Sequence, residues 1–359
     1  MVTILITGAT GLIGQNLVKT LLKRTPPNVK PNQIRLLIRK RNGSPSRNSF
    51  VQWVVKMGVE IIWGDLRSTS DVLRFTNVID PDKSVLIHCG AVFNFYQSYQ
   101  LLYNTNVIGT TRVLHGFHSN RIRKFVFVSS IAVYGALRNS NGQGITEDHP
   151  IDCKQRKSYE LTKSLSEECV WKYSKKYPKR LITLVRPSGV VGGGGTTSDI
   201  FARMFFGRYV PLPGGGSEKI SLVDVYDVVR ALIHFSNFDI GNGEVFNVVS
   251  FTPTLREFID EMAYVLNRRN VKILSVPLGL FKPLFYLSRL IRTFKKPKEN
   301  SLLLPVLFNK LGQEIWIDNS KILAHGLSPE STLSESMNNF HHFLADNPWY
   351  AEEKFSIAL

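Results

Sequence analysis

The chain has 359 residues, 43% hydrophobic and 20% charged, which is enough for one large globular domain or for a major domain with a smaller one. Its formal net charge of +17 indicates anionic ligands or surfaces, but no helix-turn-helix, zinc-finger or RNA-binding signature is present, so we expect no nucleic-acid partner. The cysteines Cys89, Cys153 and Cys169 lack the paired spacing of a disulfide framework or a zinc site, so we expect no metal and a reducing, cytoplasmic compartment.

The chain begins with a β-branched run at residues 2–6, which leads directly into Gly8, Gly11 and Gly14. Apolar residues at helical spacing follow, so the pattern predicts a strand, a tight turn and a helix. In a dinucleotide-binding turn the first glycine makes the turn, the second admits a pyrophosphate and the third packs the helix on the strand. An ordinary glycine-rich turn is the alternative. The predicted contacts to a dinucleotide come from Gly8, Thr10, Gly11, Leu12 and Ile13.

Strand-like apolar runs alternate with helical patterns through the first half of the chain. The strand candidates are residues 34–38, 59–62, 84–87, 125–128 and 181–185, and the helix candidates are 49–57, 69–77, 99–118 and 158–176. Strands that are apolar on both faces and separated by helices are typical of a parallel sheet covered on both sides. The pattern predicts an α/β fold with a doubly wound parallel sheet, the Rossmann arrangement, over residues 1–186.

From Pro187 onwards the sequence changes character, with glycine-rich loops at 192–195 and 211–216 and with shorter elements. This change predicts a smaller, mainly substrate-binding lobe over residues 187–359. Elements near 223–248 are expected to return to the first lobe. Because ligands of open α/β sheets bind at the carboxyl ends of the strands, the residues that follow each strand are the candidate site.

The second strand candidate ends in a basic run, Arg39-Lys40-Arg41. An acidic residue at this place suits the ribose 2′-hydroxyl of NAD, whereas a basic one suits the 2′-phosphate of NADP. We therefore expect NADP(H), bound through Arg39, rather than NAD(H). Asp65, after the third strand, either accepts a hydrogen bond from the adenine amino group or caps the following helix. His88, at the end of the fourth strand, is expected to be structural.

Three residues near the expected crevice have the chemistry of proton transfer. Ser130 follows the fifth strand, and Tyr159 and Lys163 lie four residues apart in a helical pattern, which places both on one face. Hydride transfer between nicotinamide and a carbinol carbon needs a proton to move at the oxygen, which Tyr159 can do if Lys163 lowers the pKa of its phenol from about 10. Ser130 would hydrogen-bond the same oxygen. Tyr350 and Lys354 repeat the spacing in a polar tail, where we expect solvent exposure.

Taken together, the motifs resemble those of the extended short-chain dehydrogenase/reductases, in that family's order over about residues 1–250. They are the glycine turn, Gly64-Asp65-Leu66, His88-Cys-Gly-Ala91, Asn106-Val-Ile-Gly-Thr110, Ser129-Ser130 with Tyr134-Gly135, Tyr159 with Lys163, and Arg186-Pro187-Ser188. The resemblance implies an NAD(P)-dependent enzyme with the catalytic residues Ser130, Tyr159 and Lys163, and with Ser129 as the less favoured register. The further cofactor contacts that it implies come from Asp65, Leu66, Ala91, Tyr159, Lys163, Pro187 and Ser188.

The C-terminal part is most similar to the 3β-hydroxysteroid dehydrogenase/isomerase branch, through residues 316–321 and a final helix. Residues 93–106 are also similar to dihydroflavonol reductases and to reductase domains that release thioester-bound acyl chains. Arg39 departs from the acidic residue of NAD-using members, and a polar insertion at 138–144 lies before Tyr159. The similarities favour an NADP(H)-dependent oxidoreductase acting on an apolar carbonyl or secondary alcohol, such as a sterol, ketoacyl or polyketide-like compound.

Two other functions stay open: a nucleotide-sugar epimerase or dehydratase with a tightly bound cofactor, and a non-catalytic NADP-binding scaffold. Aromatic residues near the expected crevice favour the oxidoreductase, although they could equally form core. They are Phe93, Phe95, Phe201, Phe205 and Phe206. Residues 277–298 combine bulky apolar side chains with six basic ones, which predicts either a helix on an anionic membrane surface or a packed helix. A homodimer is a further open expectation.

Overall fold

The structure is a computed structural model, and it describes ten ranges of the chain. They are residues 3–23, 29–40, 49–93, 97–135, 143–154, 158–206, 209–268, 270–277, 279–280 and 314–350, with the side chains of residues 203 and 206 excepted. Arg41, Phe95, Lys354 and nearly all of the segments 138–144 and 277–298 lie outside these ranges, so the expectations placed on them stay predictions.

Eleven strands lie in the described ranges. They are β1 (Ile4–Thr7), β2 (Ile34–Ile38), β3 (Glu60–Trp63), β4 (Val85–His88), β5 (Lys124–Val128), β6 (Leu181–Pro187), β7 (Gly189–Val191), β8 (Tyr209–Pro213), β9 (Leu222–Asp224), β10 (Glu244–Val248) and β11 (Lys272–Val276). Seven of them form one parallel sheet in the order β10-β6-β5-β4-β1-β2-β3. The strand order reverses between β1 and β4, which confirms the doubly wound Rossmann arrangement.

Helices of the described ranges cover both faces of this sheet and also build the smaller body described below. They are α1 (Leu12–Lys23), α2 (Ser49–Lys56), α3 (Thr69–Thr76), α4 (Tyr99–Leu102), α5 (Gly109–Ser119), α6 (Tyr159–Lys176), α7 (Thr196–Ala202), α8 (Val225–His234), α9 (Leu255–Val265), α10 (Ser320–Ala324) and α11 (Leu333–Asp346). A π-helical segment, Tyr103–Ile108, joins α4 to α5. The apolar faces of α1, α2 and α8 pack on one side of the sheet, and those of α3, α5 and α6 pack on the other.

The second half of the chain builds a smaller body beside the sheet. Its core joins α7, α9 and α11 with β8 and β9, and the strand pair β8-β11 lies at its edge. Part of the loop expected at 211–216 is strand β8, which tolerates its prolines because β11 is its only strand partner in the described chain. Strand β10 lies beside β6 in the main sheet. The domain boundary at residue 186 stays a prediction.

The described helices give no sign of a membrane crossing, since none of them is both long and apolar enough to span a bilayer. The described residues also contain no group of three or more His, Cys, Asp or Glu side chains arranged to hold a metal ion.

Candidate active site

The glycine turn between β1 and α1 is packed too closely for side chains. Gly8 has a φ of +70°, and a Cβ atom added there would lie 2.7 Å from the backbone of Gly90. The Gly11 amide donates to the Gly8 carbonyl at 3.0 Å, and a Cβ at Gly14 would collide with Gly8 and Ala9. The turn therefore brings the N-terminus of α1, with its unpaired N–H groups, to the carboxyl edge of the sheet, where a pyrophosphate fits.

A second feature that suits a dinucleotide lies at the end of β6. The Ser188 side chain is buried, and its hydroxyl has no hydrogen-bond partner among the described residues. Its amide donates to the Val248 carbonyl at 3.0 Å, which fixes the backbone next to Pro187. A buried hydroxyl without a partner costs free energy, so a ligand that bonds it would recover that cost. Pro187 and Ser188 therefore fit the nicotinamide end of the cofactor.

The carboxyl ends of β2 and β3 form the corner where the adenosine part would lie. The Gly64 amide donates to the Ile38 carbonyl at 3.0 Å, so Arg39 and Asp65 follow neighbouring strand ends. Ser68 caps α3, because its side chain accepts from the Asp71 amide, so the expectation that Asp65 caps this helix is wrong. Asp65 closes a tight turn instead, by accepting from the Arg67 amide at 2.9 Å.

Leu66 packs against Gly90, which with Ala91 follows the carboxyl end of β4. A Cβ at Gly90 would lie 2.8 Å from a methyl carbon of Leu66, so only glycine allows this packing. Ala91 is exposed, and Arg39 and Lys40 are exposed at the end of β2. The structure thus places the predicted cofactor residues along one edge of the sheet.

His88 is completely enclosed and fully hydrogen-bonded. Its Nδ1 lies 2.6 Å from the Thr7 hydroxyl, which also accepts from the Gly90 amide, and its Nε2 lies 3.0 Å from the Thr110 hydroxyl. Because Thr110 donates to the Asn106 carbonyl, it must accept from His88, which fixes the proton on Nε2. Burial, together with the smaller effect of the Lys163 charge, lowers the pKa of His88 to about 3. His88 is therefore a neutral structural residue rather than a base.

Asn106, in the π-helical segment, connects the residues that follow β4 to helix α6, which carries Tyr159. Its side-chain amide makes two bonds with the backbone of Val92, at 2.8 and 3.1 Å, and donates to the Thr162 hydroxyl at 2.9 Å. Thr162 in turn donates to the Tyr159 carbonyl at 2.7 Å. Sequence reasoning did not assign Asn106 to the site. The feature of the sequence that could have indicated Asn106 is its position in a strongly apolar helical pattern. A side-chain amide buried in such a helix needs hydrogen-bond partners.

The structure distinguishes the two serines that follow β5. The Ser129 side chain is buried and donates to the Glu167 carboxylate at 2.5 Å, so its proton is already used. Ser130 is half-buried, and its hydroxyl oxygen accepts from the Ala132 amide at 3.2 Å, but its proton has no acceptor among the described residues. Ser130 is therefore the serine with a hydrogen bond to offer to a substrate oxygen.

Tyr159 is the first residue of α6, directly after the capping residue Ser158. Its ring is half-buried and meets the edge of Phe93 at a centroid distance of 4.6 Å. Burial raises the pKa of the Tyr159 phenol, and the Glu160 carboxylate raises it further. The expectation that Lys163 lowers this pKa is wrong for the structure as it stands, because burial dominates. The phenol is fully protonated and can act as a proton donor.

Lys163 lies one turn further along α6, and its side chain is buried. Its Nζ donates to the Val128 carbonyl at 2.7 Å and lies 4.7 Å from the centre of the Phe127 ring. Burial lowers the pKa of Lys163 to about 8, against the opposing effects of Glu167 and Cys89. Since Val128 is the last residue of β5, this bond ties the Tyr159 helix to the strand end that carries Ser130. Lys163 therefore lies at the strand end that Ser130 follows, and Tyr159 lies one helical turn away on α6.

A buried ion pair that the sequence did not reveal supports this strand end from behind. Glu167 forms a close ion pair with Arg186 of β6 and accepts from the Trp171 indole at 3.1 Å. Arg186 also donates to the Tyr134 hydroxyl at 2.8 Å, and Tyr134 donates to the Asn247 side chain at 2.7 Å. These bonds join α6, β6, β10 and the segment after β5, so they hold the Ser130 backbone in place.

The structure shows where the aromatic residues singled out in the sequence lie. Phe201 and Phe205 are buried in the core of the smaller body, which is the alternative that the sequence left open. Phe93, by contrast, is 41% exposed and touches Tyr159. The expectation that Tyr350 is solvent-exposed is wrong, because the residue is half-buried, its hydroxyl donates to the Asp199 carboxylate at 2.7 Å and its ring packs on Phe343.

Comparison with known sequences gives relatives with several activities. The nonribosomal peptide synthetase asaC of Aspergillus flavus is 26% identical over 277 residues, which cover 70% of this chain and 26% of that protein. The chain thus spans about a quarter of the length of such relatives. The 3beta-hydroxysteroid-dehydrogenase/decarboxylase isoform 1 of Arabidopsis thaliana is 24% identical over 313 residues, which cover 80% of this chain and 68% of that protein.

Comparison with solved structures supports the fold. The dTDP-glucose 4,6-dehydratase of Bacillus anthracis, solved in complex with NAD, superposes with a TM-score of 0.70 at 19% identity and covers 99% of both chains. Similar folds are known in complex with NAD and with NADPH. The sequence profile of the NAD dependent epimerase/dehydratase family matches residues 4–248. The chain belongs to this family.

Proposed function

We propose that this protein is an NADP(H)-dependent oxidoreductase that transfers a hydride between nicotinamide and an apolar carbonyl or secondary alcohol. The observation that carries the proposal is the end of β5, where the Ser130 hydroxyl and the Tyr159 phenol face no described hydrogen-bond acceptor while Lys163 is anchored beside them. At the predicted cofactor site, the close-packed turn at Gly8 and the buried Ser188 hydroxyl both fit a dinucleotide.

The proton chemistry follows from these positions. When NADPH is bound, it supplies the hydride for the carbonyl carbon. Tyr159 gives its Oη proton to the carbonyl oxygen, so the alcohol forms and a phenolate remains. The Lys163 ammonium stabilises that phenolate, and Ser130 donates a hydrogen bond to the same substrate oxygen. In the oxidative direction each of these proton movements is reversed.

The preference for NADP(H) rests on the end of β2. Arg39 and Lys40 are exposed there and form no ion pair with any described residue. A 2′-phosphate would find two cations at this place, whereas the 2′-hydroxyl of NAD would find no carboxylate on β2. We expect tighter binding of NADPH than of NADH in a fluorescence titration, and Arg39→Asp should reverse the order. Equal or tighter NADH binding by the unmodified protein would contradict the preference.

The apolar substrate class has two supports. Phe93 presents an exposed ring against Tyr159, so an apolar group beside the reacting carbonyl would have a partner. The relatives whose names describe sterol chemistry, in Arabidopsis thaliana and in Methylococcus capsulatus, point the same way. Binding at an anionic membrane through residues 277–298, and assembly as a homodimer, are further parts of the proposal. Sedimentation with anionic and neutral vesicles at low and high salt tests the membrane part.

The decisive experiment is an assay of NADPH consumption with a panel of ketosteroids, ketoacyl thioesters and nucleotide sugars. Oxidation of NADPH with an apolar ketone supports the proposal. Interconversion of a nucleotide sugar without net NADPH consumption, by protein that retains its cofactor through purification, would show an epimerase or dehydratase instead. Mass spectrometry of the purified protein identifies any nucleotide or lipid that accompanies it.

A further inference from the structure

The adenosine corner contains a pairing that bears on cofactor choice. Three hydrogen bonds join Asp65 to the residue two positions later. The carboxylate accepts from the Arg67 amide at 2.9 Å, from its Nε at 3.1 Å and from its Nη2 at 2.8 Å. A carboxylate offers about four acceptor positions, so about one remains for another donor, such as the adenine amino group. The charge of Asp65, however, is already matched by the guanidinium.

We propose that Arg67 is a specificity-determining residue for the cofactor, because it neutralises a carboxylate that would otherwise repel a 2′-phosphate. This inference rests on the proposed use of NADP(H) and deepens it. Arg67 itself need not touch the phosphate. Because Arg67 neutralises Asp65, the positive charges of Arg39 and Lys40 remain without a compensating carboxylate in this corner.

The charges of the neighbouring residues support this role. Asp71, the nearest other carboxylate on α3, accepts from the Asp65 amide at 3.0 Å and pairs with Arg74 at 3.0 Å. Both carboxylates of the corner are therefore matched by arginines, and the two basic residues at the end of β2 remain. Removal of either arginine would expose one negative charge, but only Asp65 lies at the carboxyl end of a strand, two residues after β3, where the cofactor would bind.

Arg39 follows the strand beside β3, and its charge acts on the Asp65 carboxyl. Burial by itself would raise the pKa of the Asp65 carboxyl, but the bonds and charge of Arg67 lower it, and the charge of Arg39 adds to that effect. If Arg67 is replaced, Arg39 becomes the cation that interacts most strongly with the Asp65 carboxylate. A guanidinium engaged by a carboxylate attracts a phosphate less, so NADPH should lose affinity while NADH, which has no 2′-phosphate, should not.

The test is a double-mutant cycle read as the ratio of the dissociation constants for NADH and NADPH. Arg67→Met keeps the backbone amide that closes the turn, and Arg67 is 45% exposed, so the fold should persist. We expect this variant to lower the preference for NADPH by about tenfold. Asp65→Asn in the same chain should restore the preference, since no carboxylate is left to neutralise. Arg74→Met, which removes a similarly exposed arginine from its pair with Asp71, is the matched control and should leave the ratio unchanged.

The other outcomes have distinct meanings. An unchanged ratio in Arg67→Met, in a protein that does prefer NADPH, would overturn the inference and leave the proposed function intact. A reduced ratio that Asp65→Asn does not restore would overturn it too, because Arg67 would then act on the phosphate itself. If the unmodified protein fails to prefer NADPH, the proposed cofactor preference fails and the inference falls with it.

Discussion

Two regions of this protein carry a tyrosine and a lysine four residues apart, and only one of them has the surroundings of an active site. Tyr159 begins a long helix at the carboxyl edge of the parallel sheet, and its hydroxyl donates to no described residue. Tyr350 lies after α11, and its hydroxyl is held by Asp199 while its ring packs on Phe343. The spacing is the same, but the proton of one phenol is available and that of the other is used.

The difference teaches that hydrogen-bond satisfaction separates function from structure more sharply than spacing does. A buried polar group whose hydrogen bonds are all made within the protein stabilises the fold. A polar group at a strand end that has no hydrogen-bond partner in the protein can bind a ligand instead. His88 and Ser188 repeat this contrast, since His88 is bonded at both ring nitrogens and the Ser188 hydroxyl has no described partner.

The largest expected effect of a single change separates the two tyrosines directly. Tyr159→Phe removes the phenol proton that the proposed reaction transfers to the carbonyl oxygen of the substrate, so turnover should fall by about 10²- to 10⁴-fold. Affinity for NADPH and the melting temperature should stay close to those of the unmodified protein. Tyr350→Phe is the matched control and should keep its turnover. Equal activity of the two variants with a validated substrate would show that the assignment of Tyr159 is wrong.

The Tyr350 region should respond in stability rather than in chemistry. Phe340 is fully buried in α11, so Phe340→Ala should lower the free energy of unfolding by about 3 to 5 kcal/mol through lost contacts and a cavity. Urea unfolding followed by circular dichroism measures this change. Loss of turnover in folded Phe340→Ala protein, without loss of stability, would place this region in the catalytic machinery and break the comparison.

The two regions should also differ in their response to pH. Lys163 is cationic below its lowered pKa of about 8 and neutral above it, so reduction should slow as the pH rises beyond that value, by up to about tenfold per pH unit. Lys163→Arg stays charged throughout, so whatever activity it retains should show no such decline. A rate of reduction that stays constant up to pH 10 in the unmodified protein would contradict the role of Lys163.

The smallest effect is expected from Tyr350→Phe on stability. Loss of the bond to Asp199 should lower the free energy of unfolding by about 1.5 kcal/mol, at the low end for a hydrogen bond to a carboxylate because Tyr350 is only half-buried. A comparison of urea midpoints between this variant and Tyr159→Phe tests the contrast, since Tyr159 has no such bond to lose. A more stable Tyr350→Phe protein would show that the bond is of no structural use.

Most of the fold could be predicted because the sheet is buried on both faces. The run 34–38, for example, is apolar enough to mark strand β2 at its observed bounds, and Gly8 and Gly14 mark a turn that no other residue could make. The positions of Ser130, Tyr159 and Lys163 were also predictable, since Ser130 follows a strand signal and the other two lie in a helix signal. Local patterns were sufficient for all of these features.

The remaining features depend on contacts between distant parts of the chain. Nothing near Glu167 in the sequence indicates that it meets Arg186 and Ser129, and nothing near Tyr350 indicates Asp199, 151 residues away. The raised pKa of Tyr159 likewise comes from burial, which only the folded structure determines. Spacing could suggest that Lys163 controls the phenol, but it could not show how deeply both side chains are buried.

The hydrogen bonds around His88 and Asn106 have a consequence for amide hydrogen exchange. The segment just after β4 has left the sheet ladder, and loop amides of this kind usually exchange quickly with solvent deuterium. Here the Gly90 amide donates to the Thr7 hydroxyl at 3.1 Å and the Val92 amide donates to the Asn106 side chain at 2.8 Å. Both amides should therefore exchange more slowly than other loop amides, and their labelling ahead of the central strands would report a local opening at this edge before the sheet itself unfolds.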